Sequence, residues 1–434
     1  MRGRSAVELA VDIERRVAGH ELLPGDRLPP VRVLATELEL APNTVAAAYR
    51  RLGERGIVIG RGRMGTFVAD RPPVMLPSDP EVREGLQDLS SGNPDPDLLP
   101  DLGSVLRESS GPTVLYGDRS VDEELEERGA RLMAADGVSA DYLTVVSGGL
   151  DGMERVLQAN LRRGDRVAIE DPGYPPVADL IGALGLVAVS MAVDDEGPQP
   201  DALGTALQKG VAAVIVTPRA QNPFGSAVSA KRATVLRSSL NRFPDVLVIE
   251  DDHAAAVAGP AMHSIAGGRE RWATIRSAAK TYGPDVRLAL LAGDSTTVRR
   301  VEGRQRLGPG WVSHVLQRLV ARMIGDPDVT AKVARAATVY ASRRQAMLTA
   351  LRERGFEARG ASGLNVWVPV PDETAAERAM EGRGFSVRSG NRFRIRSAPG
   401  LRLTVASLEE AEAGAVADAL RDAVSDPGTG TRSG

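Results

Sequence analysis

From Leu86 onward the chain alternates short apolar runs with helical stretches, and this pattern constrains its fold more than any other feature. The runs are Thr144–Ser147, Arg166–Glu170, Leu186–Val193, Ala212–Thr217, Val246–Glu250, Ala273–Ile275 and Arg287–Leu291. Helix-like segments separate several of them, which predicts α/β layering around a large, mostly parallel sheet. Between Phe356 and Leu408 strands and helices alternate more densely, as in a smaller α+β lobe. Residues 5–68 read differently, as two helices, a turn, a third helix and a hairpin. The expected organisation is a head over 1–69, a linker over 70–85 with four prolines, a body over 86–425 and a disordered Gly/Ser/Thr tail over 426–434.

A chain of 434 residues suffices for two or three compact units. Its net charge of -3 argues against a protein that coats nucleic acid over its whole surface, although a local basic module on a neutral body is compatible with it. The absence of cysteine rules out disulfides, thiolate metal sites and cysteine nucleophiles. Four histidines, well separated in sequence, make a metal site improbable. No window of 18 uncharged apolar residues predicts a membrane span, and the first residues, acidic and amphipathic, do not read as a secretory signal. A cytoplasmic location is expected. Lysine occurs only at 209, 231, 280 and 332, so each lysine can be considered singly.

In the head, Val7, Leu9, Val11, Ile13 and Val17 form an apolar stripe that predicts a helix ending near Gly19. Pro24-Gly25-Asp26 reads as a turn, and Val31–Leu38 as a short helix. Asn43 is the expected N-cap of a helix over Thr44–Arg55. Ile57–Ile59 and Thr66–Val68 then flank a glycine-rich tip. In a helix–turn–helix the second helix enters the major groove, which makes Asn43 and Thr44 candidate base readers. Arg32, Arg50 and Arg51 are candidate phosphate contacts, and Arg61 and Arg63 would sit at the wing tip. Taken singly, each arginine reads first as solvated surface, and only the ordered set says more.

The body's motifs fall at strand ends. Ser147-Gly148-Gly149 follows one strand and opens a helix, as a phosphate cup would, though a tight turn explains the glycines too. Asp171-Pro172-Gly173-Tyr174 follows another, with Tyr174 either stacking on a ring or packed in the core. Asn222-Pro223-Phe224-Gly225 offers an amide or simply turns the chain. Glu250-Asp251-Asp252 ends a further strand, where carboxylates of α/β sheets face a ligand crevice. Lys280 closes Ser277-Ala278-Ala279-Lys280, alone among the lysines at a strand end, and Arg287 follows seven residues on. These are the parts that pyridoxal phosphate chemistry needs: an imine-forming lysine, a carboxylate (Asp251) for the pyridine nitrogen, an anion cup and an aromatic cover.

The ordered set Pro24–Arg32, Asn43-Thr44-Val45 and Gly65–Val68 resembles the winged-helix head of GntR-type bacterial repressors, with Pro42 where that family often has a basic or hydroxyl residue. The motif order from 86 to 425 resembles the fold-type-I aminotransferases, and the combination is similar to the MocR subfamily of regulators. The resemblance implies that Lys280 is the Schiff-base lysine, that Ser277 and Arg287 contact the phosphate, that Arg402 takes a ligand carboxylate, and that Tyr116 reaches the phosphate of a neighbouring subunit in a homodimer. It also implies double-stranded promoter DNA as one partner and a small amino compound, sensed by aldimine exchange at Lys280, as another. A working aminotransferase is the alternative, and a body that only dimerises is a third reading. Two departures stand out: His253 occupies the place of the tyrosine that hydrogen-bonds the cofactor's phenolic oxygen, and Phe224 that of a small hydroxyl residue.

Overall fold

The structure, a computed structural model, describes residues 5–18, 21–23, 25–54, 57–60, 62–69 and 82–425. By internal contacts it forms two compact units, one centred on the N-terminal head and one on the body.

The head has three helices, α1 (Ala6–Ala18), α2 (Val31–Glu37) and α3 (Pro42–Glu54), and an antiparallel pair, β1 (Val58–Gly60) and β2 (Thr66–Val68). Its core draws Leu9 and Ile13 from α1, Leu34 from α2, and Val45, Ala48, Tyr49 and Leu52 from α3. The α3 positions recur at three- and four-residue intervals, so one face is buried while Asn43, Arg50 and Arg51 stay exposed. The Tyr49 hydroxyl donates to the Pro29 carbonyl at 2.8 Å, tying α3 to the turn before α2. Helix α3 begins at Pro42, so Asn43 is an early helical residue and not the N-cap. Proline is suited to the first helical position, where its fixed φ helps and its missing N–H has no intrahelical partner to lose. The first wing strand starts one residue later than the apolar run suggested. Gly19, Arg55, Arg61, residues 70–81 of the expected linker and the 426–434 tail lie outside the described residues.

The body is built on an eight-stranded sheet of β3 (Leu143–Val146), β4 (Arg166–Asp171), β5 (Val187–Asp194), β6 (Gly197–Pro198), β7 (Ala213–Val216), β8 (Leu247–Asp252), β9 (Trp272–Ser277) and β10 (Ala289–Gly293). Their order is β3-β10-β9-β8-β7-β4-β5-β6. Strands β4, β7, β8 and β9 run parallel, and β10 is antiparallel to both its neighbours. The central strands are buried along their whole length, as helices on both faces of a parallel sheet require. The helices needed below are α4 (Glu123–Ala135), α5 (Gly149–Asn160), α6 (Ala279–Tyr282), α7 (His314–Gly325) and α8 (Pro327–Glu353). Arg287, expected inside an apolar run, instead occupies the turn before β10 at φ 46°.

A second, smaller core lies under three strands, β11 (Asn365–Pro369), β12 (Arg388–Ser389) and β13 (Gly400–Thr404), in the order β11-β13-β12. The 27-residue α8 joins the two cores, giving Tyr340 to the larger and Met347 and Leu351 to the smaller. Leu89 belongs to the smaller core, and its carbonyl accepts from Thr404 N at 2.7 Å, which carries the following residues 90–92 to the mouth of the sheet. Packing here is tight: a Cβ on Gly400 would lie 2.3 Å from Trp367 Cζ2, and one on Gly390 2.5 Å from the Gly400 carbonyl. Gly400→Ala is therefore expected to cost about 1–3 kcal/mol through overpacking, read as a lowered denaturant midpoint.

Candidate cofactor site

Strand alternation sorts the three acids that end β8. Glu250 faces one side, accepting from Thr274 Oγ1 at 2.7 Å, Ser264 Oγ at 2.9 Å and Ile265 N at 2.6 Å. Asp252, fully buried, accepts from Arg219 Nε at 2.8 Å and Arg276 Nε at 2.7 Å. Burial alone would raise its pKa, but those two guanidinium groups outweigh it and hold the carboxyl below the usual range. Asp251 points the other way, and its buried Oδ1 has no hydrogen-bond partner. Desolvation pushes its pKa up, with His253 opposing.

Around that oxygen the chain closes in. The backbone of Gly148 has φ 104°, and α5 starts at the next residue. A Cβ at Gly149 would lie 3.6 Å from Asp251 Oδ1 and 3.9 Å from Ser277 Cβ, and one at Gly148 would lie 3.0 Å from Arg287 Nη2. Arg287 in turn donates to the Ser147 carbonyl at 3.2 Å. The turn at the head of a twelve-residue helix, a serine, an arginine and an unpartnered carboxylate oxygen therefore converge. Free N–H groups at such a helix start suit an anion. Tyr174, 38% exposed, lines a cleft with Asp251, Glu170, Thr217 and Phe393.

Lys280 begins its side chain two residues beyond Ala278, in α6, and its Nζ donates to the Gly92 carbonyl at 2.6 Å. Burial, and next the nearby charge of Arg402, bring its pKa down to about 8. Arg402 donates to Asn222 Oδ1 at 3.3 Å and to the Ser90 carbonyl, with its guanidinium 5.1 Å from the centre of the Phe393 ring. A Cβ on Gly92 would lie 3.2 Å from Arg402 Nη1, so Lys280, Arg402 and Asn222 gather around one loop. The other lysines stand on helices or at a helix end, Lys209 and Lys231 exposed and Lys332 half-buried.

Three further residues singled out from the sequence have these surroundings. His253 directs Nε2 to the Ala220 carbonyl at 2.8 Å. Tyr116 is 96% exposed, with its ring 5.6 Å from Trp311. Phe224 packs 5.5 Å from Trp367, with Arg359 on its ring at 5.4 Å. In the head, Arg32 is exposed and Thr44 half-buried, while Arg63 lies in a short turn at 62–64.

Sequence reasoning missed Ser90 and Gly92, whose carbonyls hold Arg402 and Lys280 and carry no signal in the sequence. It also missed Glu170, which accepts from Thr217 N at 3.0 Å and Gln221 Nε2 at 3.2 Å. Burial pushes Glu170 up to about 7, and the Asp251 charge adds to this. A carboxyl raised in the folded state favours folding while it is protonated. Its contribution falls as pH rises from the ordinary carboxylate range to about 7, then levels off. Glu170→Gln is expected to flatten that part of the stability–pH curve, measured as denaturant midpoints between those limits.

The pattern described as "Aminotransferase class I and II" matches residues 84–420, and that described as "Bacterial regulatory proteins, gntR family" matches 6–68. The chain is 39% identical to the vitamin B6 salvage pathway transcriptional repressor PtsJ of Salmonella typhimurium, over 97% of this chain and 99% of that protein. It is 27% identical to the HTH-type transcriptional regulator TauR of Rhodobacter capsulatus, over 82% and 81% of the two. In structure it is similar to Pyrococcus horikoshii kynurenine aminotransferase, with a TM-score of 0.72 at 20% identity, over 79% of this chain and 91% of that one. With a helix–turn–helix head of one family and a body of the other on one polypeptide, the chain belongs to the GntR-type transcription regulators with an aminotransferase-like body, the MocR subfamily.

Proposed function

We propose that this regulator reads promoter DNA with its head and senses a small amino compound at Lys280 in its body, using pyridoxal phosphate as the sensing group. The observation that carries the reading is Asp251 Oδ1, buried and unpartnered beside Gly149, in a body whose one lysine at a strand end is half-buried and held by the Gly92 carbonyl. A protonated ring nitrogen is the donor that this oxygen lacks, and the Gly148–Gly149 turn with Ser277 and Arg287 suits a phosphate, so the residues present fit the group. When bound, pyridoxal phosphate supplies an aldehyde carbon open to primary amines.

The chain's own contribution is to ready the competitors. An Nζ with its pKa near 8 holds far more neutral amine at physiological pH than an ordinary lysine does. Arg402, beside Asn222 and Lys280, offers a planar fork for a ligand carboxylate. Tyr174 would cover one ring face. Tyr116 is almost fully exposed, which suits a homodimer in which it completes the partner's site.

A second reading is favoured by the 39% identical relative, named as a vitamin B6 salvage repressor: the cofactor itself is then the signal, and filling the site is the switch. Either way the body's occupancy changes DNA affinity through linkage. Gel-shift titrations on the upstream region separate the two. Response to pyridoxal phosphate alone supports the second, and response only when an amino acid follows supports the first. Robust turnover between amino and 2-oxo acids without DNA binding would overturn both. In the head, Arg32→Ala is expected to weaken all sequences alike and reduce the salt slope by about one, whereas Thr44→Ala should relax preference at one base position by about 1–3 kcal/mol. Among the described residues no helix is long and apolar enough to cross a membrane, and a cytoplasmic site of action is the natural one for a DNA reader.

A further inference from the structure

We propose that the body carries a second small-molecule pocket, behind the turn that bears Lys280, shaped for a neutral, mostly apolar ring compound with one hydrogen-bonding group. The pocket has a volume of about 290 Å³ and lies between α4, α6, α7, β9 and β10. Its apolar wall comes mainly from Leu132, Ala278, Leu288, Leu290, Val320 and Ile324. Exposed Ala135 and Ala256 also line it. An apolar cavity of about 150 Å³ stays dry and takes benzene, so a ring system roughly twice that size suits this one.

The charged residues bordering the pocket explain why the ligand should be neutral. Arg219 donates to Asp252 at 2.8 and 2.9 Å and to Asp136 at 2.9 Å. Arg276 donates to Asp252 at 2.7 Å, to Asp136 at 2.6 Å and to the Leu132 carbonyl at 2.9 Å. Two arginines and two aspartates cancel, and a charged guest would have to break a satisfied network to find a partner. The polar invitation lies elsewhere. Thr281 lines the pocket, is 5% exposed, and leaves Oγ1 buried without a hydrogen-bond partner. An unmet buried hydroxyl costs free energy that a ligand's N–H or oxygen would recover.

The pocket's position gives it a role. Ser277, Ala278 and Thr281 all line it, and Lys280 lies between the last two in the chain, so an occupant presses on the segment that sets the amine. That coupling rests on the sensing role proposed above; the pocket does not.

The test is calorimetric titration of the full chain, without added cofactor, using indole as probe and benzoate as its charged counterpart. One indole per chain is expected, weakened at least about tenfold by the pair Ala135→Trp and Ala256→Trp, which fill exposed positions and leave the core alone. Thr281→Val should weaken indole by about tenfold while leaving toluene unaffected. Absence of saturable indole binding, equal binding by the tryptophan pair, or tighter binding of benzoate than indole would overturn the pocket. With cofactor added, indole should shift the visible spectrum. Bound indole without a shift overturns the coupling alone, and no cofactor spectrum at all counts against the sensing role while the pocket stands.

Discussion

Replacing Lys280 with alanine is expected to abolish the visible absorption of the covalently held cofactor, together with the response of DNA binding to amines. The effect should be complete because nothing else can supply the amine. The chain has four lysines, and Lys209, Lys231 and Lys332 lie on or beside helices away from the strand ends. Only Lys280 combines a pKa brought down to about 8 with a short bond to the Gly92 carbonyl. Lys280→Arg should fail equally, since it keeps a cation but offers no neutral nitrogen at any working pH. Basal DNA affinity should survive both changes, because the head has its own core of Leu9, Ile13, Val45 and Leu52. Absorbance and gel shifts on the same preparation check the two halves, and an unchanged band with an unchanged response would refute the assignment.

Asp252→Ala is expected to be the most destabilising single change near the site, by about 3–5 kcal/mol, because it strands two buried guanidinium groups. Asp252 is fully buried, and Arg219 and Arg276 are nearly so; Asp136, the other acid of the network, is partly exposed and would compensate them poorly. The direction of pH dependence follows. A carboxyl held below its ordinary pKa contributes stability at and above the unfolded value, lost as pH falls through the folded one. Asp252→Asn should therefore flatten the acid limb of the body's unfolding as well as lower its midpoint. A midpoint shift equivalent to less than about 1 kcal/mol in Asp252→Ala would show that the network relaxes at little cost.

The architecture was legible because it rests on periodicity. Alternating apolar runs and helical stretches marked the strands of the sheet, and the apolar stripe containing Leu9 and Ile13 marked the first helix of the head, where both are buried. Residues at strand ends, such as Asp251 and Lys280, could be picked out because strand ends are where such sheets place chemistry. What stayed hidden depends on contacts distant in sequence. Gly92 and Ser90 meet residues 188 and 312 positions away through backbone carbonyls, which carry no sequence signature. Glu170 looks like the polar end of an apolar run until Thr217, Gln221 and Asp251 surround it. The helix starts at Pro42, two residues before Thr44, the start expected because Asn43 is so good a cap elsewhere. His253 could be placed beside Asp251, but the carbonyl that engages its ring belongs to a residue 33 positions earlier.

Borohydride reduction of the chain after incubation with pyridoxal phosphate, followed by peptide mass mapping, tests the central claim most directly. Because there are only four lysines, the outcome is unambiguous. A pyridoxyl label confined to the peptide containing Lys280 is the result expected; a label on Lys209, Lys231 or Lys332 instead, or none at all, would contradict the account.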